Sequence, residues 1–104
     1  MRSKYHAHPT VVDGIRFASK AEARRYQELK MLEKAGKISL LALQPKYPIV
    51  IKGKTVTTYI ADFVYLDHEG DPIVEDVKGM KTPVYRLKKK MVEAQYGISI
   101  TEVA

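Results

Sequence analysis

Hydrophobic positions along the chain change their period several times. Between residues 19 and 36, Ala23, Tyr26, Leu29, Leu32 and Ala35 recur every three or four residues. That spacing predicts one amphipathic helix. Ser19, followed three residues later by Glu22, has the form of a capping box, and Gly36 supplies a stop. A second helical period covers residues 82–97, with Val84, Leu87, Met91 and Ala94 as its apolar stripe. Thr82 suits its N-cap, Pro83 its first position and Gly97 its end. Between the helices the period shortens to two. "YPIVI" and "TVTTYIADFVYL" are separated by "KGK", and "PIVEDVK" follows the turn "DHEGD". These segments predict three consecutive antiparallel strands. "ISITEV" (98–103) predicts a last strand. Near the start, "TVVDGIRF" (10–17) sets Asp13-Gly14 between short β-branched and aromatic runs, the signature of a type I′ hairpin.

The predicted order is an N-terminal β-hairpin followed by α-β-β-β-α-β. Residues 1–104 form one domain of the α/β (α+β) class, a mixed sheet flanked by two helices. The second helix carries the chain from the third strand to the fourth, a crossover expected to be right-handed.

Composition adds three constraints. Eighteen Lys and Arg against twelve Asp and Glu give a net charge of +6, which points to a polyanionic partner such as nucleic acid. Cysteine is absent, so disulfides and thiolate zinc sites are excluded. No apolar run approaches the roughly 20 residues of a membrane helix, and "MRSKYHAHPT" lacks the apolar region of a secretory signal. A cytoplasmic protein without a membrane partner is the expectation.

The chemistry is in the charged residues that interrupt the strands. Asp62 shares a strand face with Ile60 and Val64. Asp76 shares one with Val74 and Lys78, whereas Glu75 points the other way. If the intervening turn centres near Glu69, Asp62 falls within a few residues of being opposite Asp76. Two adjacent carboxylates repel unless a proton or a cation intervenes. Hard oxygen donors with open water positions suit Mg²⁺ or Mn²⁺. Such an ion activates water and stabilises charge on phosphate, and a lysine beside it can orient the attacking water. Glu22, bordering the core-facing stripe of the first helix, is placed to add a third carboxylate. An Asp–Lys pair within one strand and a capping-box glutamate are the plain structural alternatives.

Glu22 on the first helix, Asp62 on one strand and Asp76-Val77-Lys78 on the next resemble the PD-(D/E)XK nuclease superfamily. The predicted α-β-β-β-α-β order is similar to its restriction-endonuclease-like core. "DGIRFASKAEARRYQELKMLEKAGKI", "LQPKYPI", "YIADFVY", "VEDVKG" and "RLKKK" resemble a family of small phage and prophage proteins assigned to that superfamily. The resemblance implies a catalytic set of Glu22, Asp62, Asp76 and Lys78. It implies Mg²⁺ or Mn²⁺ held by Glu22, Asp62, Asp76 and the Val77 carbonyl. It also implies a homodimer, as in Holliday junction resolvases, acting in a bacterial host cell. One departure is plain: the motif's proline is Ala61 here.

Arg24, Arg25, Arg86, Lys88, Lys89 and Lys90 are candidate phosphate contacts, and Gln44 is a weaker one. "MRSKYHAH" is a candidate basic arm or strand, in which His6 and His8 have no third metal-binding partner. The expected function is a Mg²⁺-dependent DNA endonuclease. Once the core is counted no recognition domain remains, so selectivity is expected for DNA structure, such as junctions, flaps or ends. The alternative is a non-catalytic nucleic-acid-binding module or partner subunit with the same fold.

Overall fold

The structure, a computed structural model, describes residues 9–78 and 81–104. The N-terminal histidines and Gly79 lie outside them. The first hairpin pairs β1 (Thr10–Val12) with β2 (Ile15–Phe17). Its turn residues Asp13 and Gly14 both have positive φ, 53° and 75°, as a type I′ turn requires.

Helix α1 (Lys20–Lys34) begins at Ser19, whose Oγ accepts from the Glu22 N–H at 3.1 Å. It buries Ala23, Tyr26 and Leu29. The expected stripe stops there: Leu32 is 37% exposed and Ala35 is exposed.

The strand region is organised differently from expectation. The first core strand is β3 (Ser39–Leu43), and residues 46–60 form a separate two-stranded ribbon of β4 (Lys46–Ile51) and β5 (Lys54–Ile60). The segment read as one long strand, "TVTTYIADFVYL", breaks at Ala61-Asp62. Its second half is β6 (Phe63–Leu66), in another sheet. Ladder hydrogen bonds explain the break. The Ala61 N–H donates to Pro45 O at 3.1 Å, and the Gln44 N–H donates to Asp62 O at 2.9 Å. The chain therefore changes partners at this point. Ala61 is fully buried and uses its N–H, which a proline there would lack.

The main sheet has four strands in the order β3-β6-β7-β8, with β7 spanning Pro72–Val77 and β8 spanning Ile100–Val103. β3, β6 and β7 are antiparallel neighbours, and β8 adds in parallel to β7 after helix α2 (Pro83–Tyr96). The α-β-β-β-α-β order thus holds for this sheet, with the ribbon inserted after its first strand. Thr82 caps α2 through the Tyr85 N–H at 3.1 Å, and Gly97 ends it at φ 65°.

Each face of the sheet has its own core. Phe63, Tyr65 and Val77 pack with Phe17, Ala23, Tyr26 and Leu29 on the α1 side. Val74 and Ile100 pack with Ile49, Tyr59, Tyr85 and Val92 on the side of α2 and the ribbon. This corrects the expected stripe of α2. Its buried residues are Tyr85 and Val92, while Val84 and Leu87 are 63% and 58% exposed. The ribbon accounts for the rotation: α2 packs against β4 and β5 as well as the sheet.

Candidate active site

Across β6 and β7, Phe63 pairs with Glu75 and Val64 with Val74. Asp62 immediately precedes β6, outside the paired ladder, and its carboxyl lies beside that of Asp76. The Asp62 backbone is fixed on both sides: its N–H donates to Glu75 O at 3.0 Å and its carbonyl accepts from Gln44. Its side chain turns back along the sheet, where Oδ2 accepts the Val77 N–H at 2.6 Å. Burial pushes the Asp62 carboxyl up to about 8, and the nearby Glu22 and Asp76 carboxyls add to the effect. The Val77 N–H works against that rise.

Asp76 is 1% exposed. Its Oδ2 accepts the Tyr59 hydroxyl, and its Oδ1 lies 3.2 Å from Lys78 Nζ. The ammonium approaches outside hydrogen-bonding geometry, and Oδ1 has no hydrogen-bond partner among the described residues. Asp62 and Asp76 also interact side chain to side chain, and carboxylate oxygens of this kind are the donors a hard cation uses. Lys78 Nζ also sits over the Tyr85 ring, 4.5 Å from its centroid. This cation–π contact and the Asp76 charge fix the ammonium beside the carboxylates.

Glu22 approaches from the first turn of α1. Burial raises its pKa, while Lys78 lowers and Asp76 raises it, so its carboxylate senses both residues. It remains partly held by the Ala18 backbone N–H. Among the described residues no three Asp, Glu or His side chains are close enough together to hold a metal ion. The pair Asp62–Asp76 is therefore the assembled part of the site, and Glu22 faces it at longer range.

Two clefts flank these residues, one on the Asp62 side and one on the Lys78 side. One, of about 330 Å³, is lined by Glu22, Gln44, Asp62 and Arg16. The other, of about 320 Å³, is lined by Lys78, Lys88, Tyr85 and Thr58. Gln44 thus joins the carboxylates, at a φ of 52° set by the chain's turn between β3 and β4. Arg16 was missed by sequence reasoning; its only signal was a cation one residue before the buried Phe17.

The basic candidates separate by their partners. Lys88 lines the second cleft, and Arg24, Arg86 and Lys90 are exposed. Lys89 is 3.3 Å from Glu102, which also takes Lys81 at 3.0 Å and the Tyr85 hydroxyl at 2.7 Å. These bonds, led by that of Tyr85, hold Glu102 down to about 2. Arg25 turns inward. Its Nε donates to Glu75 Oε1 at 2.8 Å and its Nη2 to Oε2 at 2.6 Å, and its Nη1 reaches Glu28 at 3.2 Å. Tyr65 OH donates to the same Glu75 carboxylate. The Arg25 guanidinium is thereby occupied within the protein, and Glu75, 1% exposed on the face opposite Asp76, has its explanation.

Tyr59 was also missed, although a strand tyrosine that is 4% exposed needs a partner for its hydroxyl. Tyr59→Phe keeps the ring and removes the donor to Asp76. The expected loss of stability is about 1–3 kcal/mol, the usual effect of stranding a buried acceptor. Urea unfolding checks it; an unchanged midpoint would show that the bond contributes nothing.

A family model described as "Protein of unknown function (DUF1064)" matches residues 2–102. No curated protein and no solved structure matches the chain.

Proposed function

The chain belongs to the DUF1064 family of proteins of unknown function, and we propose that it is a metal-dependent DNA endonuclease of the PD-(D/E)XK type. One observation carries this reading: the Asp62 and Asp76 carboxyls lie side by side where β6 meets β7, with Lys78 on Asp76 and Glu22 facing the pair. A binding protein has no use for clustered carboxylates beside phosphate. The buried Asp76 carboxylate is shared by Tyr59, Lys78 and Asp62, and the Asp62–Asp76 pair is one that a cation would neutralise.

Asp62 and Asp76 supply hard oxygen donors of the kind a divalent cation takes. Asp62 and Asp76 would hold it, with Glu22 and the Val77 carbonyl completing the set that the family resemblance implies. When bound, Mg²⁺ or Mn²⁺ neutralises the carboxylate pair and polarises the phosphate and its attacking water. The remaining work falls to side chains of this chain. Tyr59 fixes the rotamer of Asp76 through its hydroxyl. Lys78 is held between Asp76 and the Tyr85 ring. From there its ammonium can orient water and stabilise charge developing on the phosphoryl oxygens. Gln44 and Arg16 line the adjoining cleft, where a phosphate oxygen would find both an amide and a guanidinium. Junctions, flaps or ends are the proposed substrates, and a homodimer is the proposed assembly.

The test is incision of supercoiled plasmid and of a four-way junction with Mg²⁺ or Mn²⁺. Wild type should cut only with the cation, and Lys78→Ala should not cut. Equal cutting by the two proteins, or cutting in EDTA, sinks the reading. The second reading is a binding module that retains the carboxylates without catalysis. That module would bind DNA in a salt-dependent way and never incise it.

A further inference from the structure

We propose that the β4–β5 ribbon is a docking arm for duplex DNA flanking the site, with Lys52 and Lys54 at its tip on backbone phosphates. This rests on the nucleic-acid reading of the site and assigns a surface that reading does not need.

The first observation is charge. Residues 45–60 contain Lys46, Lys52 and Lys54 and no aspartate or glutamate. All three lysines are exposed, and none is in an ion pair among the described residues. Elsewhere on the chain several cations are neutralised locally, as at Arg25, Lys30 and Lys89. A ribbon whose every charge is positive fits a polyanion. A second copy of this chain fits poorly, because ribbon against ribbon would set lysines only against lysines.

The second observation is the turn. Ile51 pairs with Lys54, so Lys52 and Gly53 are the two central turn residues, at φ 49° and 76°. Asparagine is the residue that folding favours at the first of these positions. Lysine in the left-handed region costs about 1–2 kcal/mol. A strained residue held at an exposed tip points to a role outside folding.

The third observation is placement. The base of the ribbon belongs to the site: Tyr59 bonds Asp76, and Thr58 and Ile60 line the cleft with Lys78 and Lys88. Farther toward the tip the ribbon is braced by the C-terminal end of α2. Gln95 accepts the Val50 N–H at 3.0 Å and donates to Pro48 O at 3.2 Å. Tyr96 OH donates to Pro48 O at 2.6 Å. From Lys46 to Ile51 the strand spans roughly 20 Å. The tip thus reaches about six base pairs beyond the cleft, at roughly 3.4 Å per phosphate along one strand. Pro48, Val50, Val56 and Ile60 are exposed along the ribbon and carry no charge that repels a sugar–phosphate chain. A two-stranded ribbon is also narrow enough to enter a major groove about 12 Å wide.

The test uses full-length protein in EDTA, so that binding is read without cleavage. Duplexes with increasing flanks are titrated by fluorescence anisotropy at several salt concentrations. The variant is Lys52→Asn with Lys54→Gln, which leaves Asn-Gly in the turn and so does not threaten the hairpin. A control, Lys34→Gln with Lys37→Gln, removes equal charge elsewhere. The slope of log affinity against log salt should become shallower by about 2 in the ribbon variant and stay unchanged in the control. Its deficit relative to wild type should shrink about tenfold between 50 and 200 mM salt. Wild type alone should gain affinity as the flank grows to about six base pairs. Equal slopes for wild type and ribbon variant overturn the inference and leave the endonuclease reading standing. A change in sedimenting mass with an unchanged slope overturns it in favour of self-association. No binding of any duplex by wild type removes the nucleic-acid reading and the arm together.

Discussion

Asp62→Asn should lower cation-dependent cleavage by about 10²–10³-fold or more, and should also stabilise the cation-free protein above pH 8. The first effect follows from removing a preorganised charged group at the reacting phosphate. The second follows from burial. The Asp62 carboxyl is pushed up to about 8, so between the ordinary carboxylate range and pH 8 the folded protein keeps a proton that the unfolded chain has lost. The folded state binds more protons, and stability falls as pH rises. The contribution is complete at acid pH and is lost as pH climbs through about 8. Asparagine keeps an oxygen for the Val77 N–H and cannot ionise. In EDTA, the melting temperature of wild type should therefore drop between pH 6 and pH 9 more steeply than that of Asp62→Asn. A divalent cation should reduce the wild-type drop, because it replaces the proton as the neutralising charge. Parallel pH profiles for the two proteins would show that Asp62 is not the group that titrates.

Arg25→Met should destabilise the protein by about 3–5 kcal/mol, the usual result of stranding one half of a buried ion pair. Glu75 is 1% exposed, and among the described residues its carboxylate has, apart from Arg25, the Tyr65 hydroxyl alone to satisfy it. For a domain of this size the melting temperature should fall by more than about 12 °C. Total stabilities of about 5–15 kcal/mol leave little beyond that. Pairing Arg25→Met with Glu75→Leu should recover much of the loss, because apolar replacement of a whole buried pair is often neutral. Chemical denaturation of the two variants measures both values. An unchanged midpoint for Arg25→Met would return this guanidinium to the pool of free cations available to phosphate.

Glu75 and Asp76 are adjacent carboxylates with different surroundings, and alternation along the strand by itself separates them. Asp76 meets Tyr59, Lys78 and Asp62 on one face; Glu75 meets Arg25 and Tyr65 on the other. Their partners were less legible. Arg25 is 50 positions from Glu75, and sequence reasoning set it among exposed phosphate contacts because it follows another arginine. The usable signal was that Glu75 faces α1 and must find a cation there. Tyr59 gave a comparable signal through its hydroxyl. Lys89 gave none, since its pairing with Glu102 depends on β8 lying beside β7.

The sequence by itself determined what depends on near neighbours. The capped ends of α1 and α2, the Asp13-Gly14 turn and the nearness of Asp62 to Asp76 around a short turn all follow from local backbone chemistry and period-two alternation. Only the tertiary structure decided where "TVTTYIADFVYL" breaks and which sheet each half joins. Alternating residues run through Ala61-Asp62 without a gap, so the pattern is the same for one long strand or two short ones. Hydrogen bonds from Ala61 to Pro45 and from Gln44 to Asp62 separate the two cases. That exchange of partners releases the ribbon from the sheet, turns Tyr85 and Val92 of α2 inward, and brings Tyr59 onto Asp76. Long-range pairing fixes each of these, and no local spacing encodes it.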